Sequence, residues 1–158
     1  YVTENVHLDN NVTEVKPTNQ LDVPAVSHIV QPAAVPACPT GNTVSIALGR
    51  LFGTRSGDKG GCANIGVWAT SAEAYGFLHQ FLTVEKLKQL MPETAELEII
   101  RYDLANIHSL NFFIKGILGE GVASSVRMDP QAKSMGEYLR AKVIEVPVSL
   151  TKQLNLAE

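Results

Sequence analysis

Hydrophobic and polar positions divide the chain into two textures. Through residue 43 no apolar period lasts more than a few positions, and five of the eight prolines, Pro17, Pro24, Pro32, Pro36 and Pro39, interrupt it. Proline fixes φ and removes a donor, so this stretch predicts an arm or linker, extended and semi-rigid across residues 32–39. Its apolar Val23, Val26, Ile29 and Val30 are candidates for docking on a neighbour. From Val44 the pattern changes. Val44, Ile46 and Leu48 alternate with Ser45, Ala47 and Gly49 and continue to Phe52, and Ile65, Val67 and Ala69 alternate after a glycine-rich break. A period of two predicts strands, here two strands flanking one loop. Ala74, Phe77, Leu78 and Phe81 then recur at helical spacing behind Ser71, and Val84, Leu87, Leu90 and Met91 do so behind Thr83, with Pro92 as the stop. Hydroxyl side chains at those two positions suit the orphan amides of a helix start.

Residues 97–102 and 110–118, rich in Ile and Phe, predict a second pair of strands around a polar turn holding Asp103, Asn106 and His108. Asp129-Pro130 predicts a helix running to about Arg140, with Met135 and Leu139 inward, because a capping carboxylate followed by proline suits the first turn. A last strand over residues 143–146 ends at Pro147. The order is hairpin, helix, hairpin, helix, strand, or ββαββαβ. Helices separated by hairpins predict an α+β fold, an antiparallel sheet with helices packed on one face, over residues 44–148, followed by a tail over 149–158.

Composition narrows the function. With 158 residues and 45% hydrophobic content, the chain can bury one core. No apolar run approaches the roughly 20 residues of a membrane helix, and no leader pattern precedes a cleavage site, so the expectation is a cytoplasmic protein without a membrane partner. The net charge of −3 resides in residues 1–43, while the remainder holds 12 basic and 12 acidic residues. Lacking a basic stripe, the chain is not expected to bind nucleic acid, whose affinity depends on clustered Lys and Arg. Cys38 and Cys62 lack Cys-x-x-Cys spacing and read as reduced thiols.

The segment with the most chemistry is residues 53–64, polar or small throughout except for Cys62. Read as a loop, its glycines turn amide groups toward one point and build an anion nest, flanked by Arg55 and Lys59 and by the hydrogen-bonding Ser56, Asp58 and Asn64. A phosphate, a carboxylate or a thioester oxygen would suit it. It is not a nucleotide-binding P-loop, because Lys59 follows Asp58, lacks a following Ser or Thr, and leads into a strand. A plain surface loop is the competing reading. A second glycine-rich segment, with Gly116, Gly119 and Gly121, precedes the Asp129 helix start, so amides and a helix end could face a ligand there. His79 and His108 read as structural, and no cluster has metal-ligand spacing, so no metal site is expected.

Arg55-Ser56-Gly57-Asp58-Lys59-Gly60-Gly61, followed by Ala63-Asn64-Ile65-Gly66-Val67-Trp68, resembles the C-terminal module of the acyclic terpene utilisation protein A (AtuA-like) family. Leu110-Asn111-Phe112, Gly121-Val122, and Asp129 with Lys133 add to the likeness, which spans residues 44–148. The resemblance implies a ferredoxin-like fold in a module that accompanies a larger AtuA-type domain, in the same chain or a separate one, and that forms a homo-oligomer. It implies acyl-CoA as substrate in the catabolism of acyclic terpenoids such as citronellol and geraniol, with no cofactor. Carried over by position, Asp58 and Lys59 are the expected catalytic residues. Ser56, Gly57, Gly60, Gly61, Asn64, Asn111, Gly121 and Asp129 are the expected ligand-binding residues. A non-catalytic assembly module, with Asp58 and Lys59 in contacts between chains, is the alternative.

Overall fold

A computed structural model describes residues 4–15 and 33–152, and the chain divides into two compact units, Tyr1–Gln31 and Pro32–Glu158. The first unit, expected as an arm, holds a hairpin of β1 (Glu4–Leu8) and β2 (Asn11–Val15). Its Asp9-Asn10 turn places Asp9 at φ +52, a left-handed conformation that Asp tolerates in tight hairpins. All ten strand residues are exposed, so this hairpin has no core of its own. Val23, Val26, Ile29 and Val30 lie outside the described residues.

In the second unit the order is β3 (Thr43–Ala47), β4 (Phe52–Lys59), β5 (Cys62–Ala69), α1 (Ala72–Phe81), α2 (Val84–Leu90), β6 (Ile99–Leu104), β7 (Ser109–Ile114), α3 (Ser134–Arg140) and β8 (Val143–Pro147). This is an α+β arrangement of antiparallel strands, as expected, but its order is βββααββαβ rather than ββαββαβ. The strand expected from Val44 to Phe52 is broken by a 3-10 turn at Leu48–Arg50, and its two parts join different sheets. β3 pairs with β8, matching Val44 to Val146 and Ile46 to Ile144. β4 is the edge of a four-stranded sheet in the order β4-β5-β7-β6.

The core lies on one face of that sheet. Ala63, Ile65 and Val67 of β5 stand beside Ile114, Phe112 and Leu110 of β7, which is the in-register pairing that puts apolar positions on a common side. Over them pack Ala74, Phe77 and Leu78 of α1, Leu87 of α2, and Met135 and Leu139 of α3. Each Val, Leu, Ile, Phe or Met among them contributes roughly 1.5–3 kcal/mol when fully buried. The helix starts are as read from the sequence for α1 and α2: Ser71 Oγ accepts from Ala74 N–H at 3.2 Å, and Thr83 Oγ1 accepts from Lys86 N–H at 3.1 Å. No described helix is long and apolar enough to cross a membrane.

α3 begins four residues later than expected. Asp129 still caps it, but from a distance: its Oδ1 accepts from Lys133 N–H and its Oδ2 from Ser134 N–H, both at 2.8 Å. Between them the buried Ala132 takes φ +54, so residues 130–132 form a strained connection rather than the first helical turn. That connection is held by β4. Ser56 Oγ accepts from Gly136 N–H at 2.8 Å and donates to Ala132 C=O at 2.6 Å, while Thr54 Oγ1 donates to Gly136 C=O at 2.9 Å. Gly136 permits the approach, since a Cβ there would lie 3.2 Å from both hydroxyl oxygens.

The linker and tail boundaries also move. The carbonyls of Pro36 and Ala37 lie against Gly76 of α1, so the end of the proline-rich stretch belongs to the second unit, as does the tail's Leu150, which is buried.

Two outcomes are expected. Ser56→Ala leaves the Gly136 N–H unpaired inside the protein and should lower stability by about 1–3 kcal/mol in chemical denaturation. Partial burial works to raise the pKa of Asp129, but hydrogen bonds from Ser134 and Lys133, with the Arg127 charge, outweigh it and hold the carboxyl below its ordinary value. A depressed carboxylate contributes stability above the unfolded value of about 4 that disappears as pH falls through the folded one. Asp129→Ala should therefore cost about 1 kcal/mol at neutral pH, with the gap to the parent closing below about pH 4 in a pH series of thermal melts.

Candidate functional site

The segment expected as a nest-forming loop is a β-hairpin. β4 and β5 pair residue for residue from Phe52 with Ala69 to Lys59 with Cys62, so the ladder engages every second amide of the edge strand and leaves two turn residues, Gly60 and Gly61. Gly60 has φ +63, the pattern of a type II′ turn with glycine first. Hydrophobic alternation fails as a signal here for a physical reason. The core-facing positions of β4 carry Thr54 and Ser56, whose hydroxyls hold α3, and the opposite positions carry Gly53 and Gly57.

The two glycine-rich segments do meet, backbone against backbone. Leu118 N–H donates to Gly61 C=O at 2.9 Å, and a Cβ on Gly61 would stand 2.1 Å from Gly119 C=O. Gly121, at φ +104, lies against the Gly60 carbonyl. These glycines serve close packing, and the contact leaves no room for a ligand between them.

Alternation along β4 separates Asp58 from Lys59. Asp58 follows Ser56 toward the helices, whereas Lys59 follows Arg55 and Gly57 onto the other face, where its Nζ donates to the Asp58 backbone C=O at 2.9 Å. The two side chains form no pair. Ser56 is engaged by α3, and Asp129 caps that helix. Asn64 and Asn111 do come together: Asn64 Nδ2 donates to Asn111 Oδ1 at 3.0 Å across the β5–β7 ladder.

On this helix-free face the bare backbone of Gly57 and Gly66 floors a groove of about 250 Å³, bordered by Arg55, Lys59, Asn64 and Lys133. Lys133 enters from the residue before α3, and its Nζ lies 3.1 Å from where a Gly57 Cβ would stand. Among the described residues, no carboxylate lies within salt-bridge distance of Arg55, Lys59 or Lys133, although Arg101, Lys115, Arg127 and Arg140 all have acidic partners. Unpaired cations around a concave, side-chain-free floor attract an anion. Sequence reading put Arg55 beside the nest and missed the role of Lys133 as its counterpart, because 78 residues separate the two. The signal available was Lys133 following the Asp129 cap.

A second polar cluster lies where α1 meets β6. Asp103 Oδ1 accepts from Arg101 Nε at 2.7 Å, and its Oδ2 lies 3.1 Å from His79 Nε2. Partial burial pushes the Asp103 carboxyl up, but the bonds and charges of Arg101 and His79 together hold it below its ordinary value. Tyr75 is fully buried between the His79 and His108 rings, its hydroxyl has no hydrogen-bond partner among the described residues, and burial pushes its pKa up. This cluster binds helix to sheet. A larger cavity, of about 490 Å³, lies at the start of α1 between Arg50, Ser71, Glu73 and Lys152.

A family model described as the AtuA ferredoxin-like domain matches residues 46–145. No curated protein and no solved structure shows a significant match. The matched span begins in β3 and ends in β8, so it takes in both sheets, all three helices and the groove.

The turn geometry yields a test. Gly61→Ala drives a methyl into the Gly119 carbonyl and should destabilise the domain by several kcal/mol or prevent folding. Gly116→Ala, at φ +72 but facing open space, should cost only about 1 kcal/mol in the same melts.

Proposed function

The chain belongs to the AtuA ferredoxin-like domain family, and from that premise we propose that it is the accessory domain of an acyl-CoA catabolic protein of acyclic terpenoid utilisation, in which the Arg55, Lys59 and Lys133 groove binds the anionic part of the thioester. The observation that carries this reading is the set of three cations without acidic partners around the Gly57 and Gly66 floor. In a chain whose net charge is −3, such a cluster is a local positive field, and coenzyme A presents phosphates that would neutralise it.

Each residue has a distinct part. Arg55 offers a planar fork that suits two phosphate oxygens at once. Lys59 and Lys133 act as mobile point charges on either side of the glycine floor. Asn64, whose amide nitrogen already donates to Asn111, keeps its carbonyl oxygen and one N–H for a polar group of the ligand. Asp58 has no part in the groove, since it faces the helices. The domain binds and orients, and bond-making belongs to a larger AtuA-type partner domain.

The test is calorimetric titration of the full chain with the coenzyme A thioester of a branched unsaturated acid, with free coenzyme A, and with the free acid. Both coenzyme A ligands should bind, the free acid should not, and Arg55→Ala and Lys133→Ala should each weaken binding about tenfold or more, with the loss shrinking at high salt. Equal affinities for parent and variants would refute the reading, as would binding of the free acid alone.

A further inference from the structure

Along β5 the core-facing positions are Ala63, Ile65 and Val67, so Asn64, Gly66 and Trp68 share the helix-free face with the groove. Trp68 is 40% exposed there, a large aromatic ring left in water on a sheet whose other face holds the core. The register sets it opposite Gly53, and the indole leans across onto that strand so closely that a Cβ at Gly53 would overlap its Cε2, Cζ2 and Nε1 atoms. One face of the ring therefore rests on the bare backbone of β4, which fixes its orientation, and the other is turned outward. A flat aromatic face held still and presented to solvent is what holds a nucleobase by stacking.

The cations stand at the right spacing for the rest of a nucleotide. On the helix-free side of β4, positions recur about 7 Å apart, in the order Gly53, Arg55, Gly57 and Lys59. The indole over Gly53 thus lies one step from Arg55 and two from the Gly57 floor, where Lys133 Nζ stands. The way between groove and indole is open. Gly66, two residues before Trp68 on the same face, is bare, and a Cβ added to it would meet within 4 Å only the Arg55 carbonyl, at 3.7 Å. Tyr102 is also exposed, but it lies two strands beyond Gly66, about 14 Å across the sheet from Arg55.

From this arrangement we propose that Trp68 is a stacking platform for a purine base, and that indole and groove together take the nucleotide end of coenzyme A. The choice of ligand rests on the reading of the groove as a coenzyme A site. In that ligand the acyl and pantetheine parts carry no charge, and every phosphate is attached to the adenosine. One ribose separates the base from its phosphates, which matches the single step from the indole to Arg55. A base on Trp68 brings one phosphate to the Arg55 guanidinium and the next over the Gly57 floor, between Lys59 and Lys133. Asn64, with a carbonyl oxygen and one N–H unused by Asn111, is placed for the ribose hydroxyl. The thioester is left outside the groove, available to the partner domain.

Trp68 is the single tryptophan of the chain, so its emission reads the contact directly. Coenzyme A and adenosine 3′,5′-bisphosphate should each quench it saturably, and pantetheine phosphate should leave it unchanged. In calorimetry of the full chain, Trp68→Ala should weaken both nucleotide ligands about tenfold or more, whereas Trp68→Phe, which keeps a flat ring over Gly53, should stay within about threefold of the parent. Tyr102→Ala should change neither. The quench is read on the parent chain, so misfolding of Trp68→Ala would not obscure it. Coenzyme A that binds through Arg55 while the emission stays constant, or that binds parent and Trp68→Ala alike, would overturn the inference and leave the groove reading standing. Quenching by the bisphosphate without any binding of the thioester would sustain the platform and refute the groove reading, and no nucleotide binding at all would overturn both.

Discussion

The arrangement depends on one buried hydroxyl. Ser56 Oγ takes the Gly136 N–H and gives its proton to the Ala132 carbonyl, which fastens the entry to α3 onto an edge strand. Thr54 makes the companion bond to Gly136 C=O. Polar groups inside a protein are costly unless paired, so two hydroxyls at core-facing strand positions require a backbone partner, and the connection before α3 supplies it. Everything around the groove follows. The latch fixes Lys133, the residue that precedes the helix, beside the β4 edge, and it draws α3 to the side already occupied by α1 and α2. The opposite face of the sheet is left to glycines and cations on β4 and to Leu104, Tyr102 and Ile100 on β6.

Where apolar residues carried the pattern, the sequence was legible. Ser71 and Thr83 marked two helix starts, Pro92 marked a stop, residues 143–146 marked a strand, and the Ile- and Phe-rich run expected over 110–118 forms one only as far as Ile114. The α+β class followed from the order of these elements. β4 was illegible because two of its inward positions, Thr54 and Ser56, are hydroxyls and two of its outward ones, Gly53 and Gly57, are glycines, so a strand with an eight-residue ladder had the composition of a loop. The same composition suggested an anion nest, whereas extended strand backbone alternates the direction of its amides instead of turning them toward one point. The break at Leu48–Arg50 was equally hidden, since alternation continues through it while the chain passes from one sheet to the other.

The candidate site was half legible. Arg55, Lys59 and Asn64 were visible as a polar cluster, and strand geometry keeps them on one face. Asp58 was visible too, but a period of two sends it to the other face, away from Lys59. Lys133 could not be placed from local pattern, because its position depends on the Ser56 latch across 77 residues. Glycine had two uses that the sequence does not distinguish. At Gly60, Gly61 and Gly121 it allows backbones to touch, and at Gly57 and Gly66 it clears a floor between charged side chains. Family membership fits this division, for the matched span contains both the packing glycines and the floor.

The central claim is that the side-chain-free patch between Arg55, Lys59 and Lys133 is where an anion settles. Amide chemical-shift mapping of the uniformly labelled chain during addition of coenzyme A tests it most directly. The account predicts saturable shifts concentrated at Arg55, Gly57, Asn64, Gly66 and Lys133, with little change at the start of α1. Shifts concentrated instead at Arg50, Ser71 and Lys152, around the larger cavity, or no saturable shifts at all, would contradict it.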